Sequence, residues 1–341
     1  MRTPTLADVA QAAGVSRATA SRVANGGAMA HRIAPATVER VAAAIRRLGY
    51  SANPQAQALR TGRPQAIGIL GWNGVLGSWW HPWHIRLLHG VELTLELAGY
   101  DPVLLGVHRP GRPGHQPAID ALARRQVAGV ISLVGLPEPQ INELVVASQG
   151  AFVSLMRAEQ GRAVARCDLG PGIDAACAHL AGLGHQALTW VDHQRGDDRL
   201  ALARAAADRH GLRWTAIDLG PDPPLEAGAE ATLAHLRSAW AGRDAPVVLA
   251  GNDLVALTVL DAWRMRGLRV PEDRSLIGLD DLQAPLAQPA LTSISQQWEE
   301  VGAAAARHVL AVLAGSRPEQ PPPIASRLII RASTAAPRTT P

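Results

Sequence analysis

Two short apolar helical patterns meet at a single glycine near the start of this chain, and that junction constrains the fold more than any other stretch. Within Thr5–Asn25, TLADVAQAAGVSRATASRVAN, Leu6, Val9, Ala10 and Ala13 share one helical face, and Gly14 stops the helix. Thr5 and Asp8 are spaced as a capping pair at its start. Val15 plugs the turn, and Ser16 is placed to cap a second helix. In that second helix Ala20 and Val23 face inward while Arg17, Ala18, Ser21 and Arg22 face outward. This is the layout of a helix-turn-helix whose second helix enters a DNA major groove. Arginine can grip guanine with two hydrogen bonds, and serine or threonine hydroxyls can reach phosphates or bases. Other amphipathic helical hairpins share part of the pattern, so periodicity alone leaves DNA binding open.

The next segments narrow the choice. Pro35–Val41 opens a third helix with proline in its first turn, and Val38, Val41, Ala42 and Ile45 form its apolar stripe. Gly49-Tyr50 ends it. Ser51–Arg63 then forms a short helix-capable stretch between breakers, with Ala56 and Leu59 at helical spacing. A helix this short is not stable alone. Leu59 can serve as ordinary packing or as a wedge in a minor groove. Residues 1–63 hold nine arginines against Asp8 and Glu39, a charge of +7, whereas the other 278 residues hold 24 arginines and 27 acids. A basic head on a mildly acidic body is the footprint of a head that meets a polyanion. Lysine is absent throughout, so the arginine bias reflects codon usage and not the DNA face alone.

From Gln65 onward apolar runs alternate with helical patterns. Strands are expected at Ile67–Gly71, Pro102–Gly106, Gly129–Val134, Phe152–Met156, Ala187–Val191, Val247–Ala250 and Ser275–Leu279. Helices are expected at Ile85–Ala98, Ile173–Leu183, Leu225–Trp240 and Leu254–Arg266. Such alternation predicts parallel sheets covered on both faces, in two lobes, with a ligand at the carboxyl ends of the strands.

Several function classes are excluded by what the chain lacks. Gly68, Gly71, Gly74 and Gly77 are spaced by three, unlike a dinucleotide-binding loop, and a chain without lysine has no P-loop. No nucleophile elbow, H-E-x-x-H or paired-cysteine set is present. His81-Pro82-Trp83-His84 lacks partner ligands for a metal, and Cys167 and Cys177 read as reduced core thiols. Neither catalysis, a cofactor nor a metal is expected. No apolar run reaches the length of a membrane span, and MRTPTLADVA lacks a signal peptide's apolar core, so a cytoplasmic location is expected.

The head resembles the lactose-repressor (LacI/GalR-type) family of bacterial transcriptional regulators: T-L-x-D-V-A-x-x-A-G-V-S-x-x-T-x-S-R-V-x-N is matched at every fixed position. The later N-P-x-A-x-x-L and the I-G-I-L that opens the body fit as well. Further pieces continue the likeness: Gly90-Val91-Glu92, Asn252-Asp253, Gly278-Leu279-Asp280-Asp281 and Arg331-Ala332-Ser333-Thr334. The resemblance implies an all-α helix-turn-helix head plus an α/β two-lobed core of periplasmic-binding-protein-like type I, built from two parallel-sheet subdomains. The head would span 1–50, a hinge helix 51–63 and the effector-binding and dimerisation core 64–341. Within the core, one lobe would take 64–163 and 295–320, the other 164–294 and 321–335.

The resemblance also implies roles. Arg17 and Ala18 would read bases, Arg22 would reach a guanine, and Ser16, Thr19, Ser21 and Asn25 would support or touch the backbone. Ala56 and Leu59 would belong to the hinge, with Leu59 inserted at the centre of a near-palindromic double-stranded operator. Arg199, Asn252 and Asp280 would hold a small effector, a sugar or related polyol. Trp83 would replace a ligand-facing phenylalanine, Trp79 and Trp80 fall in an insertion beside it, and Trp298 would line the same cleft. Trp190 and Trp240 read as core. The loop Gly26–Ile33 is longer than the family norm, and Ala34 stands where a serine cap is usual. The expected protein is an effector-controlled repressor. It would be a homodimer and not a tail-built tetramer, because Thr334–Pro341 carries no leucine heptads. The competing class is a cytoplasmic solute-binding protein or sugar enzyme without operator specificity.

Overall fold

The computed structural model describes residues 4–24, 33–50, 64–71, 82–106, 113–133, 136–155, 163–193, 198–221 and 228–338. The head is a three-helix unit: α1 (Leu6–Ala13), α2 (Arg17–Ala24) and α3 (Pro35–Leu48). Thr5 caps α1 in a capping box, its amide donating to Asp8 Oδ2 at 2.7 Å while the Asp8 amide donates to Thr5 Oγ1. Gly14, at φ 62°, ends α1 in the left-handed region that glycine reaches without a Cβ penalty. Val9, Ala10, Ala13, Ala20, Val41 and Ala44 form the head's core, with Leu6, Val15, Val23, Ile45, Leu48 and Tyr50 packed around them. Ala34 makes no side-chain cap, and Pro35 in the first turn of α3 removes one donor that would otherwise need a partner.

The body holds two principal sheets. The first has the order β2-β1-β3-β4-β5, all parallel: β1 (Ala66–Leu70), β2 (Asp101–Leu105), β3 (Gly129–Ser132), β4 (Phe152–Leu155) and β5 (Val164–Ala165). Helices α4 (Trp83–Leu97), α5 (Gln116–Ala123) and α6 (Glu138–Ala147) connect its first four strands. The second sheet runs β13-β11-β10-β9-β7-β8. Its strands are β7 (Ala187–Asp192), β8 (Arg213–Asp218), β9 (Val247–Ala250), β10 (Ser275–Asp280), β11 (Thr292–Ser295) and β13 (Arg327–Ile329), the last antiparallel to β11. Helices α7 (Gly170–Gly182), α8 (Arg199–Arg209), α9 (Gly228–Trp240) and α10 (Asp253–Met265) belong to this half. The last helix, α11 (Trp298–Leu313), returns to the first sheet, where Val301, Ala305 and Val309 join Ile67, Ile69, Leu87 and Val91 in one core.

The chain therefore passes between the sheets three times: from β5 into the second half, from β11 back to α11, and from α11 to β13. Two of these passages are hydrogen-bonded to each other, because β6 (Cys167–Asp168) pairs in parallel with β12 (Ile324–Ala325). The first sheet extends to Ala165, two residues past the expected lobe limit at 163.

The expected strands and helices are present within a few residues, and the structure adds several that carry no apolar run. Among them, β8 is a mostly exposed edge strand, and β11 buries Thr292 and Ser293. Trp190 and Trp240 are buried in the second half's cores. Cys177 is buried as expected, whereas Cys167 is only partly covered. No helix among the described residues is long and apolar enough to cross a membrane.

Candidate DNA-reading helix and effector site

Ala20 anchors α2 by its buried methyl, and this rotation sets which residues the helix presents. Arg17, Ala18 and Arg22 are exposed, with Ser21 half-buried between them. Positions 17, 18, 21 and 22 occupy one helical face, so two guanidinium groups flank a small residue and a hydroxyl. Ser16 is the cap the sequence called for: its Oγ accepts the Thr19 amide at 3.1 Å and lies 2.9 Å from Thr19 Oγ1. Thr19 is thus tied to the helix start and points its hydroxyl at Ser16. Asn25, Ala56 and Leu59 lie outside the described residues, as do most of the longer loop and the whole hinge stretch.

In the body, strand order reverses between β1 and β3 in the first sheet and between β7 and β9 in the second. Such switch points open a crevice at the carboxyl ends of the strands. At the second one the Asp192 side chain lies against Gly251: a Cβ there would sit 1.9 Å from the Asp192 carboxyl carbon, so the glycine leaves room for that carboxylate. Arg199, the first residue of α8, donates from Nη1 to the Gly251 carbonyl oxygen at 3.0 Å. Asn252 follows directly and caps α10, its Oδ1 accepting the Val255 amide at 2.8 Å.

Asp280 ends β10 and accepts a hydrogen bond from Gln296 Nε2 across the sheet. Burial pushes the Cys167 thiol up to about 12, with Asp168 and Asp280 adding and Arg199 opposing. A thiol held neutral in this way is a poor nucleophile. Arg199 bonds to the residue that follows β9, and β9 lies beside β10, which ends at Asp280.

On the first sheet, Trp83 opens α4 and stacks on Trp298, with ring centroids 5.1 Å apart and planes at 30°. Trp298 is buried in the first-sheet core, and its indole Nε1 has no hydrogen-bond partner among the described residues. A buried, unpaired indole N–H is a donor that a ligand oxygen can satisfy. Trp79 and Trp80 lie outside the described residues.

Three residues at the site were not singled out in the sequence. Gln296 is buried and holds Asp280. Asp253 is fully buried and anchors the turn after β10, accepting from the Leu282, Gln283 and Ala284 amides and from Ser293 Oγ. Arg331 pairs with Asp281 at 2.7 Å. Asp253 and Arg331 stand in quoted motifs, Asn252-Asp253 and Arg331–Thr334, so their position was legible but their partners were not. Gln296 carried no signal.

The profile of bacterial regulatory proteins of the lacI family matches residues 5–53, and the periplasmic binding protein-like domain matches residues 177–334. The HTH-type transcriptional regulator PtxS of Pseudomonas plecoglossicida is 30% identical over 339 residues, covering 97% of this chain and 95% of that protein. The HTH-type transcriptional regulator CelR of Thermobifida fusca is 31% identical over 332 residues, 93% of this chain and 94% of its own. Among solved structures, the lac repressor dimer bound to operator and an anti-inducer has a TM-score of 0.75 at 23% identity, with 98% and 100% of the two chains covered. A CelR–cellobiose complex has a TM-score of 0.61 at 26% identity, with 97% and 99% covered. The capped helix pair, the two switched parallel sheets and these likenesses agree: the chain is a DNA-binding transcriptional regulator of the lacI family.

Proposed function

We propose that this regulator is a repressor that binds a near-palindromic operator as a homodimer, and that a sugar or related polyol at the strand ends sets its operator affinity. The observation that carries the DNA half is the exposed face Arg17, Ala18, Ser21 and Arg22 on a helix locked in rotation by Ala20. In this reading Arg17, Ala18 and Arg22 read base edges, Ser16, Thr19, Ser21 and Asn25 support backbone contacts, and Ala56 and Leu59 belong to a hinge that opens the minor groove. The operator-bound dimer of the lac repressor supports the partner and the assembly.

The effector half rests on Arg199, Asn252, Asp280 and Gln296 standing at or beside the carboxyl ends of the adjacent strands β9, β10 and β11, with the Trp83–Trp298 stack beside the other sheet. Amide and carboxylate groups suit adjacent hydroxyls, and a broad aromatic surface suits a sugar ring. In this reading Trp79 and Trp80 also contact the effector. The cellobiose complex of the CelR relative supports the chemical class.

An electrophoretic mobility assay with the full chain tests both halves. A fragment of its own promoter region is retained at a concentration where scrambled DNA of equal length is not, and one of a panel of sugars and polyols changes that retention. Equal retention of both DNAs rejects the operator reading in favour of a solute-binding protein with an incidental basic head. Retention that no panel member alters rejects the carbohydrate effector.

A further inference from the structure

The turn that follows Asp280 is built in a costly way. Asp280, at φ 114°, and Asp281, at φ 56°, are consecutive non-glycine residues in the left-handed region, where a Cβ is disfavoured. Such a turn persists only where its surroundings over-determine it. Two groups from distant parts of the chain do so here.

From one side comes Asp253, the first residue of α10, whose carboxylate is fully buried. Its Oδ2 accepts the amides of Leu282 (2.7 Å), Gln283 (3.1 Å) and Ala284 (3.1 Å), and its Oδ1 accepts Ser293 Oγ (2.7 Å). Gly278, on β10, leaves the space for that carboxylate: a Cβ there would stand 2.4 Å from Asp253 Oδ1. From the other side comes Arg331, in the C-terminal segment, whose Nη1 lies 2.7 Å from Asp281 Oδ1 and donates to the Leu291 carbonyl oxygen at 2.8 Å. Arg331 is itself held, because its amide donates to Thr292 Oγ1 at 3.0 Å and Ser333 bonds Thr292 and Leu276. The C-terminal motif is thus a clamp on the same turn that Asp253 anchors from below.

We propose that Asp253 and Arg331 are positioning residues that hold the Asp280–Asp281 backbone in its left-handed form and so aim the Asp280 carboxylate, making effector response depend on the C-terminal segment. The step from aim to response rests on the effector role proposed for Asp280. Neither residue touches ligand in this scheme; each acts through Asp280.

The test uses the full chain and two readouts. The first needs no effector: the side-chain amide resonance of Gln296, assigned by its loss in Gln296→Glu, reports the bond to the Asp280 carboxylate. In Arg331→Ala this resonance moves toward the value of a solvated glutamine, and amide exchange of residues 281–284 accelerates about tenfold, while β9 exchange is unchanged. Adding Asp281→Gly to Arg331→Ala removes the orphaned carboxylate and supplies a residue at ease with positive φ, so both signals return toward wild type. Asp253→Asn, which turns an acceptor into a group carrying N–H donors, reproduces the Arg331→Ala shift. The second readout is the concentration of the sugar or polyol, from the same panel, that half-maximally alters promoter retention. Arg331→Ala raises it about tenfold with an unchanged affinity for promoter DNA, and does nothing further in an Asp280→Ala background, as expected when one residue acts through the other. An unmoved Gln296 resonance in Arg331→Ala overturns the proposal, as does a moved resonance with an unchanged effector response. A wild-type chain that responds to no panel member defeats the effector reading instead, and the Gln296 resonance alone then decides whether the two residues position Asp280.

Discussion

Arg17 and Arg22 are presented because Ala20 is small enough to sit flat against Val9 and Val41 in the head core, which fixes the rotation of α2. Each bidentate guanine contact is worth about 1–3 kcal/mol of discrimination. Arg22→Ala is therefore expected to abolish preferential retention of promoter over scrambled DNA while leaving the melting temperature of the chain unchanged. A preference that survives intact would remove Arg22 from the reading face. Ser16 acts on the same helix through its cap. Its replacement by alanine is expected to cost the head about 1 kcal/mol, read as a lower denaturation midpoint for the head alone. At this scale the sequence was most legible where a residue bonds to near neighbours, as Thr5 does with Asp8 and Ser16 with Thr19. It was least legible where the partner comes from far along the chain. Nothing near Asp253 announces Ser293, and nothing near Arg331 announces Asp281.

Helices α4 and α11 meet more closely than side chains allow. A Cβ on Gly90 would lie 1.8 Å from the Glu299 carbonyl oxygen, and one on Gly302 would lie 2.0 Å from the Leu87 carbonyl oxygen. Both obstacles are backbone, which has little room to yield. Gly90→Ala is expected to destabilise the chain by about 3 kcal/mol, measured as a lower urea midpoint. The Arg86–Glu299 pair spans the same seam at 2.8 Å, but both side chains are about half exposed and solvent screens them. Element prediction followed burial. Strands with continuous apolar runs, such as Val247–Ala250, were readable, whereas Thr292–Ser295 was not, because Ser293 spends its hydroxyl on Asp253 and the Thr292 amide is taken by Ser333. The helix Trp298–Leu313 escaped because its eight buried positions include Gly302, Ala304, Ala305 and Ala306, which carry little apolar signal.

Three histidines link the body's stability to pH. Burial holds His179, His185 and His308 below the ordinary value of 6.5. The unfolded chain takes up their protons first as pH falls, so the stability they contribute is present above 6.5 and lost as pH drops through it toward the folded-state values. His179 Nε2 lies 2.9 Å from Thr334 Oγ1, and His185 Nε2 lies 2.9 Å from the Ala335 carbonyl oxygen, so two of the three histidines touch the C-terminal segment. The melting temperature is expected to fall between about pH 7 and about pH 5.5, and to fall less in His185→Gln. A flat profile in the wild type would show that these histidines are not held neutral. Leu59→Ala is expected to weaken promoter retention while sparing the salt-sensitive binding to scrambled DNA, and equal loss of both would remove the wedge. An effector that weakens operator binding must itself be bound more weakly by the operator complex, by the same factor. The three passages of chain between the sheets give that coupling its mechanical form. No lobe is a single stretch of sequence, so neither can be expressed, inherited or exchanged as one continuous fragment, and a protease that cuts one passage still leaves two. Two of those passages are also tied to each other through β6 and β12, so a cut in either one leaves its ends held by the ribbon's other strand.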